Sequence, residues 1–233
     1  MIDELWANVA VDFCAHQGAD HFFLAPGSRC TPLTLAAAKH PSIRRLQHFD
    51  ERGLAFAALG YGRATSSPAV FVCTSGTAVA NAFPAVVESS MESIPLILFT
   101  ADRPDELRGT GANQTIEQRE IFGGYVRRFV NLPVPGDTDF ANDPNGINYL
   151  VGELQEVVRM AGDGPVQVNW MFREPFTISD ESISDSSPNL TSSQLPAYSI
   201  PVHVRDESSS LSSKIEVKGN TVIASRLKLI SPG

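Results

Sequence analysis

Four short polar motifs in this sequence bring together residue types that can do chemistry. Asp50-Glu51-Arg52 closes the run Leu46-Gln47-His48-Phe49 and opens the helical stretch that continues from Gly53. That places a carboxylate at the exit of what reads as a buried strand, where α/β proteins build their sites. Helix N-terminal N–H groups favour the ionised form of Glu51. Beneath a ligand ring that excludes water, the same carboxylate could hold or exchange a proton. Taken alone, the tripeptide is more simply a helix start, with Asp50 as the cap and Glu51 complementing the dipole.

The remaining motifs change that balance. In Ala25-Pro26-Gly27-Ser28-Arg29-Cys30-Thr31-Pro32, Gly27 permits a sharp turn, while Ser28 and Thr31 offer hydroxyls near a helix start. Arg29 is a forked cation suited to a carboxylate. Cys73-Thr74-Ser75-Gly76-Thr77-Ala78 consists of small and hydroxyl residues that let a flat ligand approach the backbone. Thr100-Ala101-Asp102-Arg103-Pro104, followed by Gly111-Ala112-Asn113-Gln114-Thr115, pairs a second cation with two carboxamides. Each also has a plain reading: a Gly-Ser turn with a surface arginine, a serine cap, and a turn aspartate beside a solvated arginine.

The elements that must position these motifs alternate. Helical spacing covers 5–17, with Leu5, Val9 and Phe13 on one face, and a short strand follows at 21–25. Pro32 suits the first turn of a helix running to Ala38. A strand at 45–49, a helix at 51–63 and a strand at 69–73 come next. A helix over 76–90 follows, with Val79, Phe83, Val86 and Val87 on its apolar face. The run 95–99 is nearly continuous in hydrophobicity, as in a strand buried on both faces. A helix at 115–123, a strand at 126–131, a helix at 148–161 and a strand at 166–170 complete the series. Such alternation predicts an α/β fold, an open doubly wound and mostly parallel sheet. All four motifs then fall at C-terminal strand ends on one edge of that sheet. Two arginines and a glutamate there suggest an anionic substrate beside a carboxylate-dependent cofactor.

At 233 residues, 42% hydrophobic and 19% charged, the chain can bury one medium-sized core with material left over. A formal charge of −8 leaves no basic stripe for nucleic acid. Cys14, Cys30 and Cys73 are odd in number and lack metal-ligand pairing, which predicts free thiols in a reducing compartment. The acidic start Met1-Ile2-Asp3-Glu4 is unlike a secretory or transit peptide, and no apolar run approaches a membrane span. After Ile178 serine dominates. The expected division is a domain over 1–177, a Ser/Pro-rich linker over 178–213, largely disordered, and an incomplete stub over 214–233.

The series PGSR, FDERGLAF, TSGTAVAN, FPAVVE, TADRP, GANQ, GPVQVN and FREP resembles the pyrimidine-binding (PYR) domain of thiamine-diphosphate enzymes. More narrowly, it is similar to the 2-succinyl-5-enolpyruvyl-6-hydroxy-3-cyclohexene-1-carboxylate synthase (MenD) family of menaquinone and phylloquinone biosynthesis. The match covers about residues 5–176, with Cys30 where the family commonly has serine. The resemblance implies that Glu51 is the catalytic carboxylate, hydrogen-bonding the aminopyrimidine of thiamine diphosphate and favouring its imino tautomer. It implies that Pro26, Thr74, Ser75 and Gly76 shape the pyrimidine pocket. Ser28, Arg29, Arg103, Asn113 and Gln114 would line the substrate side. The family decarboxylates 2-oxoglutarate and adds the resulting succinyl-semialdehyde carbanion to isochorismate.

The resemblance also implies partners. Family chains continue to a diphosphate-binding domain that carries the Mg²⁺ ligands, and the cofactor lies between domains of two subunits of a homo-oligomer. The stretch Gly162-Asp163-Gly164 with Asn189 has the spacing of the metal motif, but it reads as a turn entering a strand, so no metal ligand is assigned. This chain alone is therefore expected to be inactive unless that domain is supplied in trans or in a longer chain. The expected compartment is bacterial cytoplasm or plastid stroma. A non-catalytic remnant acting as a binding module is the alternative, and an acetolactate-type enzyme is disfavoured by the two-arginine edge.

Overall fold

Residues 2–137, 143 and 145–176 are described by a computed structural model, and within them helices and strands alternate. The order is α1 (Ile2–His16), β1 (His21–Leu24), α2 (Thr31–Lys39), β2 (Arg44–Gln47), α3 (Glu51–Thr65), β3 (Ala69–Cys73), α4 (Thr77–Asn81), α5 (Phe83–Met91), β4 (Leu96–Asp102), β5 (Arg128–Leu132), α6 (Ile147–Ala161) and β6 (Pro165–Met171). The expected linker and stub lie outside the described residues. No helix among the described residues is long and apolar enough to cross a membrane.

All six strands pair in parallel, in the order β2-β1-β3-β4-β6-β5, as the α/β reading expects. β3, β4 and β6 are buried at every position because helices cover both faces of the sheet. Side chains alternate between those faces. Phe23, Phe71, Cys73, Leu96 and Leu98 join one core with Leu54, Ala58 and Val86 of α3 and α5. On the other face Phe22, Phe99, Trp170 and Phe172 form an edge-to-face and stacked row. There α1 packs on both α2 and α6.

Three expectations are corrected. The strand ahead of Glu51 is not buried: β2 is an edge strand, pairs only with β1, and all four of its residues are exposed. Phe49 just beyond it is 81% exposed and stacks on His48. The expected single helix over 76–90 is two helices, α4 and α5, meeting at Ala82. Pro84 has no N–H to give to a continuing helix but suits the first turn of a new one. The helix expected at 115–123 is absent, and turns leading into a single 3₁₀ turn at Gly123–Tyr125 take its place. Glu120 adopts a positive φ of 53°, which breaks helical continuation, and the side chain of Gln118 is drawn beneath the sheet edge instead of facing solvent.

Candidate functional site

The chain runs from β1 outward to β2, then crosses back to place β3 on the other side of β1. Strand order therefore reverses between β1 and β3, and in open α/β sheets ligands bind in the crevice outside such a reversal. Leu24 is level with Val72 in the parallel register, so the turns leaving β1 and β3 emerge side by side. They touch closely: a Cβ on Gly27 would collide with the Cβ of Thr74 and stand 2.6 Å from its Cγ2. Only glycine fits there.

Glu51 is the first residue of α3, beside this junction. Asp50 caps the helix, its side chain accepting from the N–H groups of Arg52 at 3.0 Å and Gly53 at 3.4 Å. A cap of this kind stabilises by about 1 kcal/mol and fixes where residue 51 stands. The Glu51 carboxylate is half-buried and accepts a 3.3 Å hydrogen bond from Asn81 Nδ2 at the end of α4. Its charge reaches Cys30 and Cys73. Burial is the main cause raising both thiols, Cys30 to about 11, and Glu51 adds to each. All three cysteines are free and buried.

The β3 turn itself is covered. Thr74, Ser75 and Gly76 are buried, and Thr74 Oγ1 has no hydrogen-bond partner. A buried hydroxyl without a partner is uncommon and points to a ligand or water. Ser75 does not cap α4. Its hydroxyl donates to the carbonyl of Gln114 at 3.1 Å. Gly76 adopts φ +83° and ψ −143°, and a Cβ there would meet the Gln114 carbonyl oxygen at 3.0 Å. Pro26 and Ser28, in the facing turn, are exposed.

The two arginines behave differently from the solvated cations of the plain reading. Arg29 is 3% exposed and donates to the Phe172 carbonyl at 2.8 Å and to Glu174 at 3.1 Å. Its guanidinium lies 4.7 Å from the centroid of the Phe176 ring. Burial lowers its pKa, and so does the neighbouring charge of Arg103. Arg103 is also buried and donates to the Gln114 carbonyl at 2.8 Å. The two guanidiniums are thus neighbours. Among the described residues no ion pair joins Glu51 to either. Asn113 and Gln114 are exposed, and it is the carbonyl of Gln114, not its carboxamide, that ties the loop down.

Asp102, read from sequence as a turn residue, is fully buried. Burial raises its pKa. Hydrogen bonding by Asn169, the charge of Arg108 and the N–H of Arg103 oppose that rise. Asn169 and Gln118 are equally buried and bonded to one another. Sequence reasoning misses the role of all three, although Gln167 and Asn169 are polar residues within an otherwise apolar strand. A cavity of about 330 Å³ opens beside Arg108, Thr115 and Glu117 and carries none of the candidate site residues. Among the described residues no group of three His, Cys, Asp or Glu is placed to hold a metal ion.

Residues 6–121 match the family described as thiamine pyrophosphate enzyme, N-terminal TPP binding domain. Over those residues the chain resembles the N-terminal cofactor-binding domain of the thiamine pyrophosphate enzymes. Within that class it resembles 2-succinyl-5-enolpyruvyl-6-hydroxy-3-cyclohexene-1-carboxylate synthase. The relative of that name from Rubrobacter xylanophilus is 45% identical over 231 residues, 97% of this chain and 40% of the relative. That from Salinibacter ruber is 52% identical over 171 residues, 73% of this chain and 28% of the relative. That from Pelodictyon phaeoclathratiforme is 49% identical over 177 residues, 75% of this chain and 29% of the relative. The chain thus spans well under half the length of the curated relatives it matches.

Proposed function

We propose that residues 1–177 are the pyrimidine-binding domain of a thiamine-diphosphate-dependent synthase acting on 2-oxoglutarate and isochorismate. The observation that carries this reading is a half-buried carboxylate, Glu51, whose charge reaches Cys30 and Cys73 beside the strand-order reversal, where Thr74 offers a buried hydroxyl that lacks a partner. The donor set fits the cofactor's pyrimidine. A carboxylate accepts from a ring N–H, Thr74 Oγ1 has an unused hydrogen-bonding capacity, and the glycines at 27 and 76 bring backbone close to a flat ring.

Thiamine diphosphate supplies the electron sink for breaking the bond between a 2-oxo carbon and its carboxylate. The protein's part is orientation and proton control. Glu51 would hold a proton at a pyrimidine nitrogen, and Asn81 Nδ2 donates to that carboxylate at 3.3 Å, which helps to orient it. Pro26, Thr74, Ser75 and Gly76 would form the walls of the pyrimidine pocket. Arg29 and Arg103 supply positive charge to substrate carboxylates. Glu174, which pairs with Arg29, has a side chain 70% exposed and is a displaceable partner for that guanidinium. Ser28, Asn113 and Gln114 stand on the exposed rim, where a substrate arrives.

The diphosphate and its Mg²⁺ would be held by a further domain, in a longer chain or in trans, within a homo-oligomer. A reducing compartment, bacterial cytoplasm or plastid stroma, suits the three free thiols. The test is complementation. This chain, mixed with the diphosphate-binding domain of a relative, thiamine diphosphate and Mg²⁺, should release CO₂ from 2-oxoglutarate and consume isochorismate. Absence of turnover in a mixture shown to form a stable complex would refute the assignment.

A further inference from the structure

Gln118 lies in the irregular segment between β4 and β5, yet it is 0% exposed. Its Nε2 donates to the Ala101 carbonyl at 2.9 Å and to Asn169 Oδ1 at 2.8 Å. Its Oε1 accepts from the backbone N–H of Gly76 at 3.1 Å. A carbonyl can only accept and a backbone N–H can only donate, so the orientation of this amide is dictated by its partners. One side chain thereby joins the exit of β3 to β4 and β6.

The contact falls where the β3 turn most needs support. Gly76 sits in a left-handed conformation, φ +83°, and opens a helix of only five residues. Its carbonyl accepts from the Val79 N–H at 3.1 Å, while its own N–H turns to Gln118. Asn169 fixes Gln118 from behind: its Oδ1 accepts from Gln118 and from Thr100, while its Nδ2 donates to Asp102 and Asn131. Through Asp102 the same network reaches the N–H of Arg103. The turn carrying Thr74 and the loop carrying Arg103 are therefore held by one buried set of amides.

We infer that Gln118 is a positioning residue, fixing the Thr74–Gly76 turn from beneath by accepting the Gly76 N–H so that the turn presents a preformed wall to the pyrimidine. The inference rests on the proposed function for the identity of the ligand, but the clamp itself does not. Buried networks of this kind set geometry because a lost partner leaves a polar group unsatisfied.

The test uses the ¹⁵N-labelled full chain with the near-isosteric Gln118→Met, and Gln118→Glu, which keeps an oxygen for the Gly76 N–H. In the wild type the Gly76 amide should exchange slowly despite lying in a turn. In Gln118→Met that protection should be lost selectively, with β3 and β4 amides unchanged, and Gln118→Glu should restore part of it. Rapid Gly76 exchange in the wild type, a measurement that needs no variant, would overturn the inference, as would unchanged protection in Gln118→Met. In the complemented enzyme, Gln118→Met should raise the apparent Kd for thiamine diphosphate about tenfold, more than it changes kcat. An unchanged Kd with a lost clamp would overturn the positioning role. If the wild type shows the clamp but its complex shows no response to thiamine diphosphate, the proposed function fails and the clamp stands.

Discussion

Gly27 and Thr74, from the turns leaving adjacent strands, are in such close contact that a side-chain carbon on Gly27 would collide with Thr74 Cβ and fall 2.6 Å from Cγ2 and 2.9 Å from Oγ1. The two turns at the candidate site therefore lock against each other, the bare backbone of Gly27 against the side chain of Thr74.

Gly27→Ala should force these turns apart. Overpacking at a closely fitted contact costs about 1–3 kcal/mol. Urea denaturation should show that loss, and crystallography or NMR should place the displacement at residues 26–28 and 74–76. Full stability with unmoved turns would show that the contact is looser than described.

Asp3, in the first turn of α1, is buried, and that burial lifts its carboxyl from an ordinary value of 3.8 to about 6, against the attraction of Arg173 and Arg29. An unfolded aspartate titrates at about 3.9. Between those values the folded chain holds a proton that the unfolded chain has lost, so stability falls as pH rises through the window and the penalty is complete above it. Asp3→Asn should stabilise the fold near neutral pH, and the gain should vanish below about pH 4. Paired denaturation curves across pH check this. A gain independent of pH would contradict it.

Arg29 joins the β1 exit to the segment leaving β6 through the Phe172 carbonyl, a bond of 2.8 Å to a buried acceptor. Replacing Arg29 by Met should cost about 2 kcal/mol, the worth of a charge-assisted hydrogen bond whose partner is left unpaired. The Glu174 end should contribute little, since a solvated ion pair is weak. Glu174→Gln should therefore leave the melting temperature nearly unchanged while Arg29→Met lowers it. Equal losses would reverse that assignment.

Much of this architecture is legible in the sequence, for physical reasons. The runs that become β3, β4 and β6 are apolar at nearly every position, as two-sided burial demands, and Pro32 marks the start of α2. Pro84 is an equally readable start for α5, but the helical spacing of Val79, Val86 and Val87 across it masks the break. β2 misleads because Leu46 and Phe49 are apolar, and a strand's own residues do not reveal that it has a neighbour on one side only. Ile116, Arg119 and Glu120 mimic an amphipathic turn, whereas the conformation there is set by Gln118 bonding residues 17, 42 and 51 positions away. Partners that distant leave no local pattern. For the same reason the burial of Arg29 and Arg103, each held by a backbone carbonyl, cannot be read from turns that look solvated.

The most direct measurement is the rate of 2-oxoglutarate decarboxylation by the complemented complex carrying Glu51→Gln. The amide keeps the shape and the contact with Asn81 but cannot hold the proton as a carboxylate does. The rate should fall by about a hundredfold or more, with the circular dichroism and melting curve of the chain unchanged. Turnover at the normal rate in the Glu51→Gln complex would contradict the account.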